Sequence, residues 1–158
     1  MSKIVVFGTK TVIALLFVVT LIAQFLLVPL LAQEMAHEFP EVSYLQWPGI
    51  IGCVCVLLCG QVVLVCVWRL LSMVAKESIF SSTAFTIVNV AIAAIFVAAV
   101  LLIAALIVLQ AVNALPAGVM IMLLTGALLG TGLGLLLIVM RGLLKKATLL
   151  DQDLAGVI

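Results

Sequence analysis

The sequence predicts an all-α fold: a polytopic membrane protein built as a four-transmembrane-helix bundle with both termini cytoplasmic. Three observations carry this. First, 68% of residues are hydrophobic and 8% charged, whereas soluble domains carry about 25% charged residues, so a soluble fold would have little with which to face water. Second, four apolar runs, approximately 11–32, 47–68, 84–109 and 117–140, each meet the length of about 20 residues at which an α-helix crosses a hydrocarbon core of about 30 Å. Third, the seven Lys and Arg residues all fall where four consecutive crossings put them on one side, which the positive-inside rule assigns to the cytoplasm. Residues 1–158 therefore form a single integral membrane domain, with 141–158 as a cytoplasmic amphipathic tail.

The first run follows Lys3 and Lys10. It exceeds the apolar core of about 7–15 residues found in cleaved signal peptides and lacks a clear small-x-small cleavage pattern, so it is expected to remain as an anchor. Gln24 is its one strongly polar interior residue and needs a hydrogen-bond partner on another helix or a water. Pro29, near the outer end, is expected to bend or terminate the helix without opening its centre.

The segment after it carries Glu34, His37, Glu38 and Glu41 but no Lys or Arg. A single imidazole among scattered carboxylates, with no HExxH pair, fits a solvated acidic loop better than a metal site. Phe39, Tyr44 and Trp47, with Pro40 and Pro48, read as interface anchors and rigid turns.

The second run holds all four cysteines, Cys53, Cys55, Cys59 and Cys66. Residues 55, 59 and 66 share one helical face and 53 lies off it; Cys53 and Cys55 point about 200° apart, which makes a disulfide between them geometrically poor. They read as packing thiols. Gly60 and Gln61 add a close-approach point and an amide, and a bond between Gln61 and Gln24 would join the first two helices. The second helix is expected to continue a turn or two past Arg69, since neither Pro nor Gly stops it before Lys76. Ser81 or Ser82 can then cap the third.

The third run is rich in Ala, Ile and Val and carries Asn89 near its inner end; like Gln24 and Gln61 it is a candidate for an intramembrane polar contact, where an inner vestibule or another helix could satisfy it. The short turn through Asn113 and Pro116 makes the third and fourth helices antiparallel neighbours. In the fourth run Gly126, Gly130 and Gly134 recur every four residues, a face on which missing side chains let helix axes approach closely; packing within the chain is favoured over self-association. A phosphate-binding loop does not fit, because these glycines follow no strand and lead to no GK[ST] sequence. Arg141, Lys145 and Lys146 then attract anionic headgroups at the inner face.

Two segments carry a resemblance. Glu77-Ser78-Ile79-Phe80-Ser81-Ser82-Thr83-Ala84 precedes the third helix, and Arg141-Gly142-Leu143-Leu144-Lys145-Lys146-Ala147-Thr148-Leu149-Leu150, then Asp151-Gln152-Asp153-Leu154, follows the fourth. In these the chain resembles DUF2975, a bacterial family of uncharacterised four-helix membrane proteins. Its third helix is commonly introduced by Ile/Val-Phe and a small polar residue, matched here by Phe80 and Ser81. Its tail commonly reads Glu-Asn-Asp-Leu where this chain has Asp151-Gln152-Asp153-Leu154. The resemblance implies a bacterial cytoplasmic (inner) membrane location and four spans, and no activity.

No catalytic constellation accompanies the spans. Outside His37 there is no histidine, and the central parts of the runs lack Asp, Glu, Lys and Arg, so acid–base chemistry would need groups from elsewhere. The chain is expected not to be an enzyme and to use no cofactor or metal. Its expected partners are membrane lipids and a membrane-protein partner or further copies of itself as a homo-oligomer, with no nucleic acid. The reading is a small accessory, regulatory or envelope-sensing membrane component; the alternative is a small oligomeric channel or transporter.

Overall fold

The structure, a computed structural model, describes residues 3–38, 40–74, 82–113 and 115–156. Four stretches within it, Ile4–Glu34, Ser43–Val74, Thr83–Ala111 and Ala117–Leu150, are long and apolar enough to cross a membrane. The helices that contain them overrun the apolar runs at most ends, because a helix stops where its backbone loses partners and not where its side chains turn polar.

The first span is one continuous rod in three parts: α1 (Lys3–Ile22), a π turn (Ala23–Leu27) and α2 (Val28–Glu38). Within the π turn the Val28 N–H donates to the carbonyl of Ala23, five residues back, and the residues flanking the turn keep right-handed helical angles. Pro29 supplies the cause. It has no N–H to offer the carbonyl of Phe25 and its ring crowds that oxygen, so the turn before it widens. The expectation that Pro29 closes or merely bends the outer end is thereby corrected: the helix runs on to Glu38, and the disturbance falls deeper, around Gln24.

A 3₁₀ turn, Pro40–Leu45, leads to α3 (Gln46–Val74). Tyr44 and Trp47 are exposed there, as headgroup-level aromatics should be. α3 continues past Arg69 to Val74, and α4 (Ser82–Ala111) follows; the Phe80 and Ser81 motif lies outside the described residues, while Ser82 is the first residue of α4. α4 ends at Ala111, where the Val112 and Asn113 amides bond back to the carbonyls of Val108 and Gln110. Asn113 takes φ 53°, the left-handed position that ends many helices and that Asn tolerates. α5 then opens with the Met120 amide on the Pro116 carbonyl.

α5 (Ala117–Gly156) is 40 residues long, about 60 Å at helical rise and twice a hydrocarbon core. It has no break at Arg141 or Gly142. The tail continues the axis of the fourth span as far as Gly156.

The helices pack in chain order: the first span against α3, α3 against α4, and α4 against α5. Among the described residues there is no backbone approach between the first span and α4 or α5, or between α3 and α5. The four-helix bundle is therefore open along its sides. Its accessible surface is 10873 Å², against about 7,600 Å² for a compact soluble protein of 16.7 kDa by the usual scaling. The excess is mostly apolar side chain facing outward, the surface a lipid-facing chain presents.

Candidate functional site

Lining up the antiparallel helices gives each polar residue a depth. Phe96 of α4 stands against Gly134 of α5. Asn89 and Arg141 each lie seven residues from that pair, toward the same end, so both stand about 10 Å away at one level. Arg69, one residue beyond Trp68 of α3, closes the same end, with Lys10 over the Trp68 ring. This is the cation-bearing end of the bundle.

Asn89 is exposed at that level and joins neither glutamine. Seven residues of helix separate it from the contact at Phe96, which puts it near the inner end of its span, at the level of the cations.

The two glutamines behave differently. Gln61 lies eight residues from Arg69, about 12 Å into the membrane and close to the middle of a core of about 30 Å. Its Nε2 donates to Gln24 Oε1 at 3.1 Å and, at 3.5 Å, reaches Thr20 Oγ1. The Thr20 hydroxyl is itself committed to the carbonyls of Leu16 and Phe17. Gln24 and Gln61 are the buried polar residues among those described, 7% and 5% exposed, in a molecule whose other buried side chains are apolar.

One group in this cluster is unpaired: Gln24 Nε2 is buried with no hydrogen-bond partner. An amide donor in hydrocarbon costs on the order of 1–3 kcal/mol when unmet. Gln24 also sits in the π turn, whose wider pitch sets its side chain toward α3 at a point where an α-helical turn would place it differently. The cluster can therefore offer the Gln24 NH2 group, with two N–H donors, to an acceptor oxygen. Amides do not titrate near neutral pH, so it cannot exchange protons.

The glycine face is the second predicted feature, and the structure seats it against α4. A Cβ on Gly126 would meet Leu102 Cδ1 at 3.2 Å, and one on Gly130 would meet Ala99 Cβ at 3.6 Å. On Gly134 it would come within 2.9 Å of Phe96 Cε2. The three thus share a partner helix but differ in tightness. On α3, Cys66 is buried against Ile87 and Ala91 of α4, with Leu70 and Met73 alongside, while Cys53 is exposed.

Arg141, Lys145 and Lys146 are exposed on the α5 extension. At the far end, His37 shares a shallow cleft with Gln33, Ala36 and Gln46, and no group of three or more potential metal ligands occurs among the described residues. Sequence reasoning did not find the Lys10–Trp68 contact, at 5.3 Å from the ring centroid; its signal was the coincidence of a cation and a tryptophan at the same end of adjacent antiparallel helices.

A family model described as a protein of unknown function, DUF2975, matches residues 30–158. The match takes in α3, α4, α5 and the Phe80-Ser81 segment and begins just after Pro29, leaving α1 and Gln24 outside it. No curated protein matches the chain. No solved structure matches it.

Proposed function

We propose, from the premise that the chain belongs to the DUF2975 family, that this multi-pass membrane protein is a non-catalytic accessory or regulatory component of the bacterial cytoplasmic membrane, with both termini inside. The observation that carries the reading is α5, which crosses the membrane and continues as the same helix to Gly156. A helix that does not break at the membrane surface transmits displacement or rotation of its span to its exposed end, because its backbone hydrogen bonds tie the two together. The glycine face couples α5 closely to α4, so a change in packing within the membrane reaches the extension.

The side chosen for the termini follows the cations, since Lys10, Arg69, Arg141, Lys145 and Lys146 stand at one end of the bundle. The non-catalytic reading is supported by what is buried among the described residues: two amides, the Cys66 thiol and apolar side chains, with no carboxylate or imidazole among them.

The channel or transporter alternative rests on Gln24 Nε2, a donor without an acceptor near the bilayer middle. Against it, helices packed in a row enclose no lumen on their own, so a pore would need further copies.

The test is native mass measurement of the full chain extracted from its own membrane, with and without residues 147–156. A stoichiometric second protein that is lost with the truncation is the expected result. A partner-free oligomer that passes ions or solutes in liposomes would overturn the reading in favour of a channel.

A further inference from the structure

Between α1 and α3 runs an apolar groove of about 370 Å³, walled by Ile13, Phe17 and Val18 on one side and Leu64, Val65 and Trp68 on the other. Lys10, Ile13 and Phe17 fall at spacings of three and seven, so they share a face of α1. Leu64, Val65 and Trp68 do the same on α3. Lys10 therefore closes the groove at the cation-bearing end, its Nζ 5.3 Å from the centroid of the Trp68 ring, and Arg69 is the next residue. The groove's deep end stops one helical turn short of Thr20 and Gln61.

We infer that this groove is a site for an anionic phospholipid, with one acyl chain between α1 and α3 and the phosphate on Lys10. The argument is charge complementarity. No ion pair involves Lys10 among the described residues; Glu34, Glu38 and Glu41 belong to the opposite end of the molecule, and Asp151 and Asp153 stand on α5, which makes no backbone approach to the first span. The ammonium is half-buried and held over an indole face, a contact that positions the cation and leaves its charge uncompensated. The walls below it are wholly apolar and open to the bilayer along one side, which suits a flexible chain entering from the membrane and not a rigid polar molecule entering from water. The site is separate from Arg141, Lys145 and Lys146 and does not depend on the function proposed above.

Trp68 is its own reporter, since the chain has two tryptophans and Trp47 stands at the other end. In a Trp47→Phe background the full chain is placed in phosphatidylcholine bilayers, with chain-brominated phosphatidylglycerol or chain-brominated phosphatidylcholine added at equal mole fraction. The expected result is that Trp68 quenching reports about fivefold preference for phosphatidylglycerol, the effect of one cation near the surface. Lys10→Gln should abolish that preference while leaving quenching by phosphatidylcholine intact, and Lys10→Arg should keep it. Lys145→Gln with Lys146→Gln should leave it unchanged. Equal quenching by the two lipids in the parent protein would overturn the inference and make the groove an ordinary lipid boundary. So would a preference that survives Lys10→Gln or vanishes with the tail lysines, since surface potential would then be its source.

Discussion

Between α4 and α5, Gly126, Gly130 and Gly134 let two backbones close to the point where Ala99, Leu102 and Phe96 fill the space a side chain would need. Between the first span and α3 the arrangement is looser: an open groove, one cation over an indole, and a single amide bond from Gln61 to Gln24. Both interfaces face the same difficulty, that lipid tails are as apolar as the side chains and give helices no hydrophobic reason to associate. One answers with many short-range contacts, each small but numerous. The other answers with one directional bond and leaves a polar group over. The first makes a rigid pair; the second makes an edge helix that can shift while its bond persists, next to a site for lipid.

The largest effect should come from forcing the tight interface apart. Gly134→Leu drives a branched side chain into the Phe96 ring, and overpacking of this kind costs about 1–3 kcal/mol. Reversible unfolding in mixed micelles should show the loss, and a second change, Phe96→Ala, should recover much of it by vacating the contested space. If Gly134→Leu is neutral, or the double variant is no better than the single, α4 and α5 do not meet at this point.

Next in size is the amide pair, where the two partners should not be equivalent. Gln61→Leu removes the donor to Gln24 Oε1 and leaves both ends of the Gln24 amide unmet, a loss of about 1–2 kcal/mol. Gln24→Leu removes the unpaired Nε2 together with the acceptor and leaves Gln61 with Thr20, so its cost should stay below about 0.5 kcal/mol. The double variant should resemble Gln24→Leu, with strong non-additivity in the cycle. Equal costs for the two single variants would mean that Gln24 Nε2 has an acceptor after all, such as a bound water.

Which of these features the sequence discloses follows from the range of the physics behind each. The spans are legible because hydrocarbon thickness acts on every residue of a run in the same direction. The pairing of Gln24 with Gln61 was legible because two amides in an apolar medium have few alternatives. Helix ends were legible in part: the extensions past Arg69 and past Arg141 follow from the lack of a stop signal, while α1 begins well before Thr11, since the polar boundary marks the water and not the end of the backbone ladder. Pro29 was visible, but whether a proline ends, kinks or widens a helix depends on how neighbouring turns absorb its missing bond. The depth of Asn89, near the inner end, was legible from its place in the run, but its level relative to Arg141 was not, because the contact of Phe96 with Gly134 sets that register only when the helices are packed.

The smallest effect is also the sharpest distinction within the glycine face. Read as a repeat, Gly126, Gly130 and Gly134 are three equal points of closest approach. The contacts rank them otherwise: a Cβ at Gly130 would find Ala99 Cβ at 3.6 Å and the Ile95 carbonyl at 4.0 Å, ordinary van der Waals separations, while the same atom at Gly134 would overlap Phe96. Glycine inside a helix is less favourable than alanine by about 0.8–1.0 kcal/mol, from backbone entropy. Gly130→Ala should therefore be neutral or stabilise the chain by up to about 1 kcal/mol, where Gly134→Ala destabilises it, and Gly126→Ala should fall between them according to how far Leu102 Cδ1 gives way. Unfolding midpoints of the three alanine variants measured together would decide the matter. A uniform loss across all three would mean that the helices approach more closely at Gly130 than the Ala99 contact allows, and that the face works as a repeat after all.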